Sequence, residues 1–286
     1  MLREKRDRVL TRLRSNCQYK FDTFNQGSYE MGTGVKPVSG DYDIDVGVVF
    51  PVEDLGRCDP LLLKHRVYDA VAGHTNTVYW KEPCITVQYR HRGEPVYHVD
   101  LAVYAKDRSG QLFLARGKQH SGASQRKLER ADPQGLTAAI GRRWSGEDAA
   151  QFRRVIQYLK RWKDLQFPMQ GNAAPVGIGL TVVGDRHFSP VKAGSSRSYD
   201  DFTATKLLVA AMARSFQWRW SGGASVQRLS AQIPVSPQSD VFASMTDQKM
   251  TEFKGRVDAL RDCLDEAGRT LSAAPLRRAF GPDFPL

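Results

Sequence analysis

The residues best suited to chemistry are a Gly-Ser pair and three aspartates in the first hundred positions. Gly27 and Ser28 are followed by Asp43 and Asp45, and Asp100 lies further along, within an apolar run. Two carboxylates at positions i and i+2 of a strand point to one face, because strand side chains alternate between faces. A Gly-Ser turn can present backbone N–H groups and a hydroxyl to a phosphate. Together these residues predict a site that binds both a phosphate and a hard cation such as Mg²⁺.

Three converging carboxylates also indicate which reaction such a site would perform. They repel one another unless cations neutralise them. Two Mg²⁺ ions roughly 4 Å apart would do so, and would promote an in-line displacement at phosphorus. We therefore expect a nucleotidyltransferase that uses two Mg²⁺ ions, with Mn²⁺ able to substitute, and releases pyrophosphate. No protein nucleophile is indicated, since the sequence contains no Gly-x-Ser-x-Gly motif.

Asp41 leaves an alternative open, because it shares the predicted strand face of Asp43 and Asp45. The carboxylate pair could be Asp41 and Asp43 rather than Asp43 and Asp45. Asp41 directly follows a Ser-Gly pair at 39–40, where aspartate is a common turn residue. Asp43 and Asp45 are flanked by apolar strand residues, and this pattern favours them as the pair.

The elements that must position these residues follow from the spacing of apolar residues. The predicted strands are 42–50, 85–91 and 97–104, and the predicted helices are 2–15, 61–72, 151–166, 201–216 and 246–268. Strands that alternate with helices in the first half indicate a mixed α/β sheet.

The second half is mainly helical, so we expect two lobes. Residues 1–145 would form a catalytic core, and residues 146–286 a helical nucleotide-binding lobe. A helix is predicted to begin after Asp132, with Pro133 at its first position. Three segments are predicted to lack regular structure: a polar, basic connector at 106–130, a loop at 184–198 and a break at 221–223.

Lys160 is the candidate functional residue of the helical half. It lies beside the apolar stripe of the predicted helix 151–166 but off it. Its stem could therefore be packed while its ammonium reaches a cleft. The alternative is a solvated helix face, because several basic residues surround it.

Composition narrows the classes of partner. The 286 residues carry a formal net charge of +11, which calls for a polyanionic substrate or partner. Nucleoside triphosphates and nucleic acid both qualify, and nucleic-acid binding is possible but not required. No apolar run approaches the roughly 18 residues of a membrane span, and the charged N-terminus is unlike a signal peptide. Because the cysteines are also scattered, we expect a cytoplasmic protein without a zinc module or a membrane partner.

These motifs together resemble the bacterial cGAS/DncV-like nucleotidyltransferases of the polymerase-β-type superfamily. The resemblance covers most of the chain. Its motifs are Gln26-Gly27-Ser28-Tyr29, Gly32-Thr33, Lys36-Pro37, Asp41-Tyr42-Asp43-Ile44-Asp45-Val46, Leu159-Lys160-Arg161-Trp162 and Tyr199-Asp200-Asp201. It implies an α/β (α+β) polymerase-β-like core with a mixed sheet, followed by a helical C-terminal lobe.

The resemblance also implies roles for individual residues. Asp43, Asp45 and Asp100 would bind the two metals, whereas nucleotide would be bound by Gln26, Gly27, Ser28 and Lys160. The substrates would be ribonucleoside triphosphates, ATP and GTP foremost. The product would be a cyclic oligonucleotide, such as a cyclic GMP–AMP, that a separate effector senses in anti-phage defence. Two other functions stay open: transfer to an RNA 3′ end, a protein or a small molecule, and a silent nucleic-acid-binding module.

One departure from the family pattern concerns the donor nucleotide. Many relatives carry a serine after the proline that follows the Lys-x-Trp helix, and it helps to seat the donor. Here Pro175 is followed by Val176 and Gly177, which puts donor recognition at that position in doubt. The zinc insertion of the animal DNA sensors is absent as well, so we do not expect activation by double-stranded DNA through that element.

Overall fold

The computed structural model describes residues 2–37, 40–167, 174–194 and 198–284. The chain divides into two compact units. The first unit comprises residues 1–32, 39–137 and 235–237, and the second comprises 33–38, 138–234 and 238–286. No helix in the described part of the chain combines the length and apolarity that crossing a membrane requires.

The first unit is built on a mixed sheet. Its strands are β1 (Asp22–Gln26), β2 (Tyr42–Pro51), β3 (Val78–Trp80), β4 (Cys84–His91), β5 (Glu94–Lys106), β6 (Leu112–Arg116) and β7 (Lys127–Ala131). Its helices are α1 (Leu2–Asn16), α2 (Gly27–Glu30) and α3 (Pro60–Val71), and α4 (Pro133–Arg143) begins in it. The strand order is β1-β2-β5-β4-β3, with β6 paired to β5 and β7 to β6. Only the β2–β5 pair is parallel among these strands, which confirms the predicted mixed α/β sheet.

One face of this sheet forms the main core of the first unit. The alternating residues of β2 and β5 on that face are fully buried, and they pack with α1 and α3. The buried members from the two strands are Ile44, Val46, Val48, Phe50, Val99, Leu101, Val103 and Ala105. The opposite face therefore carries the intervening residues, including the aspartates.

A buried lysine on α3 holds the turn between β3 and β4. Lys64 is fully buried, and its ammonium donates to the carbonyls of Lys81, Glu82 and Gly117 at 2.6, 2.7 and 2.8 Å. Burial lowers the pKa of this amine to about 8. Three carbonyls and the face of Trp80, 5.1 Å away, stabilise its charged form. The contact ties α3 to the segment that carries Lys81.

The second unit is mainly helical. It contains α5 (Gly146–Gln166), α6 (Gly177–His187), α7 (Asp201–Arg214), α8 (Asp247–Thr270) and α9 (Ala274–Phe280), with the strands β8 (Gln217–Ser221) and β9 (Ala224–Arg228). The apolar stripe predicted on α5 is buried: Phe152, Val155, Ile156, Leu159 and Trp162.

An ion pair joins α5 to α7. Asp201 accepts hydrogen bonds from Arg154 at 2.6 Å, from Tyr158 at 3.1 Å and from Gln151 at 3.2 Å. These contacts hold the pKa of Asp201 below its usual range, although burial acts in the opposite direction. Asp201, one of the motif residues, thus stabilises the packing of two helices.

The predictions of irregular structure were wrong for the connector and only partly right elsewhere. The connector at 106–130 contains β6 and most of β7, which are short strands with polar residues that weaken the alternation. The predicted loop at 184–198 overlaps α6, which ends at His187; residues 195–197 lie outside the described part. The break at 221–223 is the turn of the β8–β9 hairpin, in which Gly222 and Gly223 adopt positive φ.

Candidate active site

The three predicted aspartates lie on two adjacent strands of the first unit. Asp45 on β2 is the register partner of Asp100 on β5, and Asp43 is the partner of His98. Because partners on neighbouring strands share a face and Asp43 precedes Asp45 by two residues, all three carboxylates belong to one face of the sheet. We call the surface formed by Asp43, Asp45, His98 and Asp100 the acidic face.

Gly27 approaches this face more closely than any other residue type could. Its φ is +74°, and a Cβ built on it would lie 2.0 Å from Oδ2 of Asp45. A side chain at this position would therefore collide with the carboxylate. Ser28 follows in α2, directly after Gly27. The chain thus brings the predicted phosphate-binding turn against a predicted metal ligand.

Gln26 makes a contact that the sequence did not indicate. It ends β1 as the register partner of Asp45, and its side-chain oxygen accepts a hydrogen bond from the hydroxyl of Tyr104 at 2.9 Å. Burial raises the pKa of Tyr104 well above its usual range, so this phenol stays protonated and donates. The assignment of Gln26 to nucleotide binding stays a prediction, and the contact seen is with the sheet.

Burial and like-charge repulsion both act on the acidic face. Burial, with the neighbouring charges of Asp43 and Asp100, raises the pKa of Asp45 to about 7. His98 and Lys81 act in the opposite direction, but their effect is smaller. Like charges in a partly desolvated place favour protonation. This is the condition in which a bound cation would lower the energy most.

Three neighbours of Asp100 were not among the predicted site residues. Its Oδ1 accepts a hydrogen bond of 2.5 Å from Thr86, the partner residue on β4. Lys81 lies 3.7 Å from Oδ1, and Nε2 of His98 lies 3.8 Å from Oδ2. His98 could have been found by its i−2 spacing from Asp100, whereas Thr86 and Lys81 depend on strand pairing.

Side chains of β4 and β5 hold Asp41 beside the acidic face. Asp41 precedes β2, and its Oδ1 lies 3.0 Å both from Nε2 of Gln88 and from Nδ1 of His98. The carboxylate of Asp41 therefore already has hydrogen-bonding partners within the fold. This arrangement favours Asp43 and Asp45 as the pair; residue 39, part of the Ser-Gly turn argument, lies outside the described residues.

The donor atoms of the acidic face are of the type that binds Mg²⁺, but their side chains are not arranged as a metal site. Its donors are carboxylate oxygens, the ligands that hard cations prefer, and the pKa of Asp45 is raised by burial and by the charges of Asp43 and Asp100. No group of three or more His, Cys, Asp or Glu side chains in the described part of the chain is arranged so that it could hold a metal ion. Asp100 engages Thr86 and Lys81 instead.

Lys160 lies in the second unit and is almost fully buried. Its ammonium donates to Oγ1 of Thr33 at 3.0 Å. A Cβ built on Gly177, at the start of α6, would lie 3.6 Å from Cε of Lys160. The solvated-face alternative does not describe this residue. Its assignment to nucleotide binding stays a prediction.

Comparison with known proteins identifies the domain that carries the acidic face. Residues 21–104 match the family of the cyclic GMP-AMP synthase DncV-like nucleotidyltransferase domain. The matched segment contains β1, α2, β2 and all three aspartates.

Solved structures share the fold over nearly the whole chain. The Bradyrhizobium diazoefficiens CD-NTase CdnG in complex with GTP has a TM-score of 0.74 at 14% identity, over 98% of this chain and 89% of that chain. Vibrio cholerae DncV cyclic AMP-GMP synthase with the linear intermediate 5′ pppA(3′,5′)pG has a TM-score of 0.69 at 18% identity, over 92% and 69%. The same synthase with nonhydrolysable GTP has a TM-score of 0.70 at 18% identity, over 94% and 71%. Residues 21–104 thus match a DncV-like nucleotidyltransferase domain, and the chain as a whole shares the fold of these CD-NTase structures.

Proposed function

We propose that this chain is a nucleotidyltransferase that joins ribonucleoside triphosphates, ATP and GTP foremost, into a cyclic oligonucleotide second messenger. The product would be a purine-containing cyclic dinucleotide such as a cyclic GMP–AMP, which a separate effector senses in anti-phage signalling. One observation carries the proposal: Asp45 and Asp100 are in register, with Asp43 on the same face, in a domain that matches a cyclic GMP-AMP synthase family.

The solved structures support the choice of substrate. CdnG was solved with GTP, and the Vibrio cholerae synthase with nonhydrolysable GTP and with a linear intermediate. We propose that this chain likewise forms a linear intermediate and then closes it. Because both steps are the same displacement, one set of carboxylates can serve for both.

The proposed displacement assigns tasks to the residues of the acidic face. A ribose hydroxyl oxygen forms a bond to the α-phosphorus of a triphosphate, the bond to the bridging oxygen breaks, and pyrophosphate leaves. The hydroxyl proton passes to a carboxylate of the cluster, which acts as the general base. Backbone N–H groups at Gly27 and the hydroxyl of Ser28 would orient the triphosphate.

The carboxylates of Asp43, Asp45 and Asp100 would hold Mg²⁺. When bound, Mg²⁺ would neutralise charge on the phosphates and activate the attacking hydroxyl. Thr86 would orient Asp100 through the hydrogen bond that it donates, as second partners of metal ligands commonly do.

The test is product analysis with the purified chain. The protein is incubated with all four labelled ribonucleoside triphosphates and Mg²⁺, treated with phosphatase, and the products are separated. We expect a phosphatase-resistant product, because ring closure leaves no terminal phosphate, and its absence when Asp43→Asn is combined with Asp45→Asn. Omitting one nucleotide at a time then identifies the bases.

Two outcomes would contradict the proposal. A product that forms only when an RNA 3′ end, a protein or a small molecule is added would instead assign transfer to that acceptor. Equal amounts of resistant product from the wild type and the double variant would contradict the assignment of the carboxylates.

A further inference from the structure

The second unit contains a basic cleft that includes no residue of the acidic face. It encloses about 1100 Å³, and all its lining residues lie between positions 186 and 247. Each of them belongs to the second unit. The β8–β9 hairpin contributes Arg219, Trp220 and Arg228, and the ends of α6 and α7 contribute Arg186 and Arg214. We call this cavity the arginine cleft.

Three arginines of the cleft have no ion-pair partner among the described residues: Arg186, Arg214 and Arg219. Arg186 and Arg214 lie in the last turns of their helices, where the helix dipole favours a positive charge. The pKa of His187 between them is lowered, first by burial and then by these two charges. The cleft is lined by four arginines and two carboxylates, so its net charge is positive.

The carboxylates that line the cleft are already engaged in the fold. Asp247 pairs with Arg228 at 2.5 Å and accepts a hydrogen bond from Ser221 at 2.6 Å. Asp240 accepts the backbone N–H groups of Ala231 and Phe242, each at 2.9 Å. Within the described part of the chain, neither carboxylate forms an ion pair with Arg186, Arg214 or Arg219.

Two tryptophans stand on the hairpin that borders the cleft. Trp218 and Trp220 are 67% and 78% exposed, and their i, i+2 spacing on β8 places them on one face of the strand, opposite to Arg219. Trp220 lines the cleft, whereas Trp218 stands next to it outside the lining. Exposure of two large rings side by side costs hydration free energy unless a partner covers them. Flat aromatic rings next to positive charge are the features that bind unpaired bases and phosphates together.

We propose that the arginine cleft and the paired tryptophans bind single-stranded nucleic acid, with phosphates on Arg186, Arg214 and Arg219 and bases stacked on Trp218 and Trp220. This inference does not depend on the proposed product of the acidic face. A mononucleotide also carries a phosphate and a base, but it is too short to contact the cleft and both tryptophan rings at once. A duplex would present phosphates but hide its bases.

Binding is measured by fluorescence anisotropy with a labelled oligouridine of about 20 nucleotides, long enough to span such a site. EDTA is present, so that nucleotidyl transfer cannot contribute. We expect the oligonucleotide to bind more tightly than either ATP or the matching duplex. Replacing all three unpaired arginines by alanine should weaken binding at least tenfold. It should also lower the slope of log K against log salt by about 2, since each phosphate contact contributes about 0.7 for single strands.

The control removes the same charge elsewhere. Arg8, Arg57 and Arg108 are exposed arginines of the first unit that already face a carboxylate; a triple alanine variant of these should bind nearly as the wild type does. Replacing Trp218 and Trp220 by alanine should weaken binding about tenfold, whereas replacing both by phenylalanine should largely preserve it, because phenylalanine can still stack.

Three results would overturn the proposal. Equal losses in the cleft and control triple variants would assign binding to net charge alone. ATP that competes as tightly as the oligonucleotide would define a mononucleotide pocket. Unchanged affinity of the double tryptophan-to-alanine variant would show that the bases do not stack on Trp218 and Trp220. Melting temperatures of every variant identify any that fail to fold.

Discussion

At the scale of single residues, the acidic face leaves no room for a side chain at position 27. A Cβ at this position would lie 2.0 Å from the carboxylate of Asp45, so Gly27→Ala must displace one or the other. Because a displacement of about 1 Å at a reacting group can cost a hundredfold in rate, we expect pyrophosphate release to fall about 100-fold. Steady-state release from nucleoside triphosphates with Mg²⁺ measures this.

Gly93 offers a matched control for this substitution. Its φ is +87°, similar to that of Gly27, but a Cβ there would meet nothing within 4 Å. Gly93→Ala therefore introduces the backbone strain without the collision, and its rate should stay close to wild type. Equal losses in the two variants would show that strain, and not the contact with Asp45, explains the effect.

The raised pKa of Asp45 predicts an inverse relation between stability and activity. Its pKa is about 7 in the folded chain against an ordinary value of 3.8. Between these values the native state holds a proton that the unfolded state has released, so stability without metal falls as the pH rises from about 4 to about 7. Asp45→Asn removes this loss, and we expect it to be more stable than wild type at pH 8 in EDTA but inactive with Mg²⁺.

Urea unfolding at pH 5 and pH 8 tests the relation. The stability advantage of Asp45→Asn should be larger at pH 8 than at pH 5. Asp22→Asn is the control, since Asp22 on β1 is 70% exposed, and it should show no comparable trend. An advantage that shrinks with rising pH would contradict the inferred repulsion.

At the scale of elements, Lys64 connects helix α3 to the turn that carries Lys81. Lys64→Met keeps most of the buried stem but leaves three carbonyls without their donor. An unsatisfied buried polar group costs about 1–3 kcal/mol, so we expect a loss of about 3 kcal/mol in the free energy of unfolding. Urea unfolding measures it.

Lys127 serves as the control for this lysine. It is 60% exposed and paired with Glu129 on β7, and exposed ion pairs contribute about 0–1 kcal/mol. Lys127→Met should therefore change stability little. If Lys64→Met is equally mild, the contacts of the buried ammonium do not stabilise the turn.

The elements differ in how well the sequence predicts them. Strand β2 begins with alternating polar and apolar residues and continues as an apolar run, and α5 carries a regular apolar stripe, so both were predicted within a few residues of their observed bounds. Strands β8 and β9 contain no buried residue. No burial pattern marks such a hairpin, and its residues read as a break.

The geometry of the candidate site was only partly predictable from the sequence. Spacing alone placed Asp43 and Asp45 on one face. The register of Asp45 with Asp100 depends on β2 and β5 being parallel neighbours, a long-range pairing that local periodicity does not contain. The same reason explains why Thr86 and Lys81 were not predicted, although Thr86 donates directly to Asp100.

At the scale of the whole molecule, the acidic face is a local exception in a basic protein. The formal net charge is +11, yet three aspartates share one face of the sheet. A positive surrounding attracts triphosphates from solution, whereas the aspartates require a cation before a triphosphate can approach them. The charge distribution therefore favours a metal-dependent reaction of polyanionic substrates.

The central claim is that Asp43, Asp45 and Asp100 carry the transfer and that Asp41 does not. Four variants test it directly: Asp41→Asn, Asp43→Asn, Asp45→Asn and Asp100→Asn, each assayed for Mg²⁺-dependent pyrophosphate release after its folding has been verified. Loss of a metal ligand removes several kcal/mol of transition-state stabilisation, so the last three should lose about a thousandfold or more in rate, while Asp41→Asn stays active. An inactive Asp41→Asn beside an active Asp45→Asn would contradict the account.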